Sequence, residues 1–358
     1  MKMPTSLPES KALSPYSFTD DYSEGAYPQL FEALMRANSG QQVSYGNDEY
    51  SNEARRLIRA KLSATEDEVV IHFVPTGTCA NLLCIASCLR PYEAVLTVDS
   101  GHVVSKEAGA IEATGHKMIL VPGVNGKMTP ENLERAVRQN QFFPHMAKPR
   151  LVYISNATEI GTIYTKRELE NISAVCRRWN LLLHMDGARI GVALSAPSND
   201  LTPRDLVDLI DIFWIGGTKM GALFGEAIVV RNHIAEGFAF HVKQQGALLA
   251  KGRVLGVQFA ELFREDLFYE LSAHANKMAA RISDNFEKLG YQLPAKTETN
   301  QVFVTLPGSL VQRLEERFRF YVWEHLEDQR AVVRIVTSWA TSTSAVDGFN
   351  AWVQHWTV

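Results

Sequence analysis

His184-Met185-Asp186-Gly187-Ala188-Arg189-Ile190, taken together with Gly216-Gly217-Thr218-Lys219, is the stretch on which the fold turns. Leu181-Leu182-Leu183 leads into the first cluster, and Leu209-Ile210-Asp211-Ile212-Phe213-Trp214-Ile215 leads into the second. Both are apolar runs of strand length, so each polar cluster marks the end of a buried strand. In an open α/β sheet, ligands bind outside those strand ends. The interval between the clusters leaves room for one connecting segment between neighbouring strands.

Either cluster alone has an ordinary reading. Asp-Gly at a strand end also serves as a turn or helix cap, and a lysine after two glycines also serves as a solvated loop charge. A third element shifts the balance: Phe73-Val74-Pro75-Thr76-Gly77-Thr78-Cys79-Ala80-Asn81-Leu82, where a strand (68–74) meets a helix (80–89). Its free N–H groups and helix N-terminus suit a phosphate, Gly77 permits close approach, and Thr76 and Thr78 offer hydroxyls. The turn has neither the glycines and lysine of a P-loop nor the three glycines of a dinucleotide fingerprint. A carboxylate at one strand end, a lysine at another and a phosphate turn are what pyridoxal 5'-phosphate requires of a protein.

The chain has 358 residues, 46% of them hydrophobic, and a formal charge of −4. That is ample for a sizeable core in one larger and one smaller domain. The balance of charge and the absence of basic runs argue against a nucleic-acid partner. No apolar run approaches the roughly 18 to 20 residues that span a bilayer, and the polar start has no signal-peptide core, so a cytoplasmic location is expected. Cys79, Cys84 and Cys88 lie in an Ala/Leu-rich segment without histidine neighbours and read as small hydrophobes; no metal site is expected.

Residues 1–13 are polar and punctuated by proline, and 1–27 is expected as an N-terminal arm. Helical spacing marks 28–37 and 52–62. Strand candidates then alternate with helical segments at 68–74, 94–98, 117–122, 151–155, 181–185, 210–215 and 227–231, the pattern of a mostly parallel sheet wrapped by helices. Residues 243–289 read as largely helical. A strand at 302–306, a helix over 310–325 and a strand at 332–337 complete a small α+β unit. The expected division is 28–250 for a large cofactor-binding domain and 251–358 for a small C-terminal one.

With these elements in view the chain resembles the threonine aldolases of pyridoxal phosphate fold type I, from about Phe18 to Thr337. The matching motifs are Thr19-Asp20-Asp21, Ser44-Tyr45-Gly46-Asn47-Asp48, Pro75-Thr76-Gly77-Thr78, Gly101-His102, the run from His184 to Arg189, Gly217-Thr218-Lys219 and Arg334-Ile335-Val336-Thr337. Ala157-Thr158-Glu159-Ile160-Gly161-Thr162 and Lys243-Gln244-Gln245-Gly246 resemble the low-specificity and phenylserine aldolase branch.

The resemblance implies a seven-stranded sheet and cleavage of L-threonine or a related β-hydroxy-α-amino acid to glycine and an aldehyde, either acetaldehyde or benzaldehyde. It implies that Lys219 bonds the cofactor, Asp186 pairs with its ring nitrogen, Gly77, Thr78 and Thr218 bind it, and His102 lies against the ring near the substrate hydroxyl. Arg189 and Arg334 resemble a clamp on the substrate carboxylate, for which the guanidinium fork is suited, with Arg189 also beside the cofactor. Thr19 matches a residue reaching that carboxylate, Lys243 one that reaches the phosphate from a neighbouring subunit, and Tyr45 belongs to the same subunit boundary. A homo-oligomer, dimer or tetramer, is therefore implied. Many family members carry a histidine in the loop after the strand at 151–155; here Thr158 is expected at that position, which leaves the hydroxyl to His102, a water or Glu159. The rival readings are β-elimination or transamination on the same fold, or a catalytically idle binding module.

Overall fold

The computed structural model describes residues 15–357. A seven-stranded sheet forms its centre, in the spatial order Val69–Val74, Glu226–Arg231, Ile212–Gly216, Leu182–Asp186, Lys148–Ser155, Glu93–Val98 and Lys117–Val121. Glu226–Arg231 pairs antiparallel with both of its neighbours, and every other pairing is parallel. Strands Glu93–Val98, Leu182–Asp186 and Ile212–Gly216 are buried along their whole length. Continuous burial explains their unbroken apolar runs, since helices cover both faces.

The register fixes where chemistry can gather. Asp186 lies opposite Ser155, and Glu226 lies opposite both Gly216 and Val74. Because Glu226–Arg231 runs backwards, its first residue reaches the edge at which its neighbours end. Gly187 lets the chain turn at that edge: a Cβ there would lie 1.8 Å from the Trp214 carbonyl oxygen. No side chain fits.

A three-stranded antiparallel sheet, in the order Tyr321–His325, Arg330–Val336, Gln301–Pro307, packs against the helices Leu267–Lys288, Gly308–Glu315 and Thr343–Trp356. Its core holds Val302, Val304, Val333, Ile335, Phe286 and Phe349. The helix Leu267–Lys288 serves both cores, with Leu267 to Ala275 in the large one and Met278 to Phe286 in the small one. Packing therefore changes over inside this helix, and Arg253–Arg264 lays Leu255, Phe259 and Phe263 on the large core.

Two expectations are corrected, and one element is added. The helix expected over 310–325 stops at Glu315; Phe318–Arg319 pairs with Tyr16–Ser17, and Tyr321–His325 pairs with Arg330–Val336. Its aromatic and β-branched run satisfies its backbone across strands. The same pairing ties down part of the expected arm, and Phe18 is fully buried in the small core; residues 1–13 lie outside the described residues. The helix Thr343–Trp356 was not anticipated, although Ser342 caps it through Ala345 N–H and Val346, Phe349 and Val353 repeat along one face.

Candidate active site

A cleft of about 440 Å³ opens at the sheet edge where those strands end. Asp186, Lys219, His102, Thr218, Gly77, Thr78 and Arg189 all line it. Seven positions from four separate stretches of sequence thus share one surface. Glu107, Asn81, Glu159 and Glu226 line it too.

The helix Gly77–Cys88 points its N-terminus at the cleft. Its cap, Thr76, spends its hydroxyl on Cys79 N–H at 3.2 Å, and Pro75 to Thr78 all face the opening. Gly77 is required by proximity: a Cβ would come within 2.9 Å of the Trp214 ring. The result is a cradle of backbone suited to an anion.

Asp186 is 3% exposed and has three donors. Its Oδ1 accepts from Ala188 N–H at 2.9 Å, while Oδ2 accepts from Tyr153 O–H at 2.7 Å and Asn81 Nδ2 at 2.8 Å. Burial first, and the Asp186 charge second, push the Tyr153 phenol well above its ordinary range, so it stays a donor. Burial likewise drives His184 down to about 4. Neutral His184 meets the Ile212 carbonyl through Nδ1 and serves the architecture of the strand end.

Lys219 follows Thr218 in a short 3-10 turn. Loss of water contact, then the Arg189 charge, lower its amine below the usual lysine range, against the pull of Asp21, Asp186 and Glu159. Among the described residues no carboxylate lies within salt-bridge distance of its Nζ. An amine with a free lone pair more accessible than usual, facing a cleft, is equipped to bond a carbonyl carbon.

Glu226 holds that turn in place. Its carboxylate accepts from Gly217 N–H at 2.9 Å and Thr218 O–H at 2.7 Å. Burial outweighs those contacts and the Lys219 charge, and lifts it to about 7 from an ordinary 4.5. Sequence reading missed this residue, because only the reversed strand brings it to the edge. A raised acid contributes its full stability below pH 4.5, where folded and unfolded chains both hold the proton, and loses it as pH climbs through 7. The cofactor-free protein is expected to lose about 3 kcal/mol between those limits through this group. Melting curves of wild type and Glu226→Gln across that range check it; an equal decline in both excludes Glu226 as the source.

Arg189 is less free than expected. Its Nε and Nη2 donate to Asp21 at 2.7 and 2.9 Å, and Asn300 adds a third donor to the same carboxylate. Burial opposes the Asp21 charge, but Arg189, Lys219 and Asn300 outweigh it and keep the acid below its usual range. Arg334 sits beside this group without lining the cleft. Its Nη2 reaches the Thr19 carbonyl at 3.3 Å, its guanidinium lies 5.4 Å and 5.5 Å from the Tyr321 and Trp323 rings, and its Nε is buried without a partner. Thr19 takes part through its backbone; its hydroxyl meets Ser17.

Tyr45 and Lys243 do not line this cleft. They meet each other elsewhere on the surface, with Nζ 4.8 Å from the ring centre. Thr158, expected where many relatives carry a histidine, is 1% exposed and bonded to Thr162, and this loop presents Ala157 and Glu159 to the cleft. Among the described residues no group of histidine, cysteine and acidic side chains has the arrangement of a metal site. No described helix is long and apolar enough to cross a membrane.

The beta-eliminating lyase family matches residues 18–308. The low specificity L-threonine aldolase of Pseudomonas sp. (strain NCIMB 10558) is 34% identical over 336 residues, covering 92% of this chain and 94% of the relative. A solved threonine aldolase of Leishmania major superposes with a TM-score of 0.94 at 42% identity, covering 96% of this chain and 100% of that one. An aspartate aminotransferase of Thermus thermophilus superposes with a TM-score of 0.70 at 13% identity, covering 97% of this chain and 92% of that one, and shares the fold alone.

Proposed function

This chain belongs to the beta-eliminating lyase family, with threonine aldolases as its relatives and the pyridoxal phosphate type I fold, and we propose that it cleaves L-threonine and related β-hydroxy-α-amino acids to glycine and an aldehyde. The observation that carries this reading is the meeting of Asp186 and Lys219 in one cleft with the N-terminus of Gly77–Cys88.

The residues fit pyridoxal 5'-phosphate. Thr76 to Thr78 and Thr218 would hold the phosphate, Asp186 would face the ring nitrogen, and Lys219 would supply the bonding amine. The glycine cradle at 77 leaves the space such a group needs. When bound, the cofactor supplies an electron-withdrawing ring that accepts charge from the substrate α carbon.

The chain's own residues supply the rest. His102 takes the proton of the β-hydroxyl through Nε2, which has no partner among the described residues, as the Cα–Cβ bond breaks and the aldehyde forms. Burial opposes charging of this imidazole, but the Glu107 hydrogen bond and the charges of Glu159 and Asp186 outweigh it and raise its proton affinity. Arg334, beside the cleft, orients the substrate carboxylate together with the Arg189 nitrogen that is not committed to Asp21. Fixing the carboxylate selects which bond at Cα is broken.

Arg334→Ala is expected to lower kcat/KM for threonine about 30-fold, chiefly through KM, because a charge-assisted contact contributes about 2 kcal/mol. Steady-state kinetics check this; an unchanged KM returns the carboxylate to Arg189. Tyr45 and Lys243, meeting on the surface away from this cleft, support a homo-oligomer in which they complete a neighbour's site.

Incubation with L-threonine and with phenylserine tests the reaction. Glycine with acetaldehyde or benzaldehyde supports it. Ammonia with a keto acid points to β-elimination, and transfer of the amino group to an added keto acid points to transamination.

A further inference from the structure

His102 has a buried support that none of the motifs announced. The Glu107 side chain is fully buried, and its Oε1 accepts from His102 Nδ1 and from Asn81 Nδ2, each at 2.8 Å. Oε2 is buried without a partner. His102 is the one basic side chain within salt-bridge distance of this carboxylate among the described residues. A buried acid with no lysine or arginine beside it carries a desolvation cost that packing alone does not offset.

Asn81 is 1% exposed and its orientation is decided by its partners. Trp214 Nε1, which can only donate, reaches Asn81 Oδ1 at 2.9 Å. The amide hydrogens therefore face the other way, one to Glu107 and one to Asp186 Oδ2. A single neutral side chain bridges two of the buried acids of the cleft.

We propose that Glu107 and Asn81 are positioning residues, Glu107 holding His102 with Nδ1–H turned into the protein and Nε2 bare toward the cleft, and Asn81 tying that carboxylate to Asp186. The inference rests on the reading of His102 as the hydroxyl base. An ionised carboxylate only accepts, so neutral His102 must carry its hydrogen on Nδ1. The lone pair on Nε2 then faces substrate, and the imidazolium formed on proton uptake is stabilised where it stands. Three acids from three elements face this ring: Glu107 from the loop beyond His102, Glu159 from the loop after Lys148–Ser155, and Asp186 from the end of its strand.

The test uses the holoenzyme and follows carbethoxylation of His102 against pH by peptide mass spectrometry, alongside the pH profile of cleavage. Glu107→Gln is expected to lower the His102 titration midpoint by about one unit, to move the basic-group limb of kcat/KM with it, and to slow cleavage roughly tenfold. The double variant with His102→Phe should be no slower than His102→Phe alone, since Glu107 acts through that ring. An unchanged His102 midpoint, or a double variant slower by the full factor of the single one, overturns the proposal. Should the glutamine variant not fold, Glu107→Asp, too short to reach Nδ1, reads the same shift. Asn81→Ala is expected to weaken cofactor binding as well as cleavage, because Asp186 loses a donor; unchanged values of both overturn the tie. If the enzyme cleaves no β-hydroxy amino acid, the functional reading fails, while the His102 midpoint still reports the contact with Glu107.

Discussion

Lys219→Ala is expected to fold normally and to lose threonine cleavage by about a thousandfold or more, the scale of a covalent partner contributing at least about 4 kcal/mol to the barrier. The expectation rests on local chemistry. Burial and the Arg189 charge lower the Lys219 amine from its usual range, and among the described residues no carboxylate within salt-bridge distance neutralises it. Removing a poorly solvated amine from a cleft leaves no buried partner orphaned, so stability should change little. Two measurements check it: single-turnover cleavage of threonine, and borohydride treatment of wild type with pyridoxal 5'-phosphate followed by peptide mapping. A stable cofactor tag on a peptide other than that of Lys219, or cleavage within about tenfold of wild type, removes Lys219 from this role.

His102→Phe should keep the cofactor and an aromatic ring in place yet slow cleavage by about 100-fold, the usual magnitude of losing a general base. Exchange of the glycine α-proton needs no hydroxyl base and should fall much less. The pairing of assays separates roles, because a residue that only shaped the cleft would depress both reactions or neither. Cleavage near the wild-type rate would transfer the proton to Glu159, which lines the cleft, or to water; Glu159→Gln decides between them. Thr158 is no candidate, since its hydroxyl is spent on Thr162 away from the opening.

Much of this architecture was legible because strand ends are local events. The strands expected at 181–185 and 210–215 end within one residue of the ends of Leu182–Asp186 and Ile212–Gly216, and the turn at Thr76-Gly77 does open a helix. Residues 227–231 read as a strand, which the structure extends to Glu226, but nothing in their composition tells that this strand runs against its neighbours. Direction is set by how the connecting turn returns, and on it depends whether Glu226 or the far end of the strand faces the cleft.

Which side chains stand at strand ends follows from local composition: Asp186, Lys219 and His102 come after apolar segments that could only be buried, and burial of a strand forces its polar continuation to the sheet edge. Tertiary structure decided what each of them meets. Asp21, far from Arg189 in the chain, takes two of its guanidinium nitrogens; Asn81 spans Glu107 and Asp186; and Phe318–Arg319 leaves its helical period to pair with Tyr16–Ser17. These are non-local contacts, whose favourable energy arises only after the intervening chain has folded, so no window of sequence contains them.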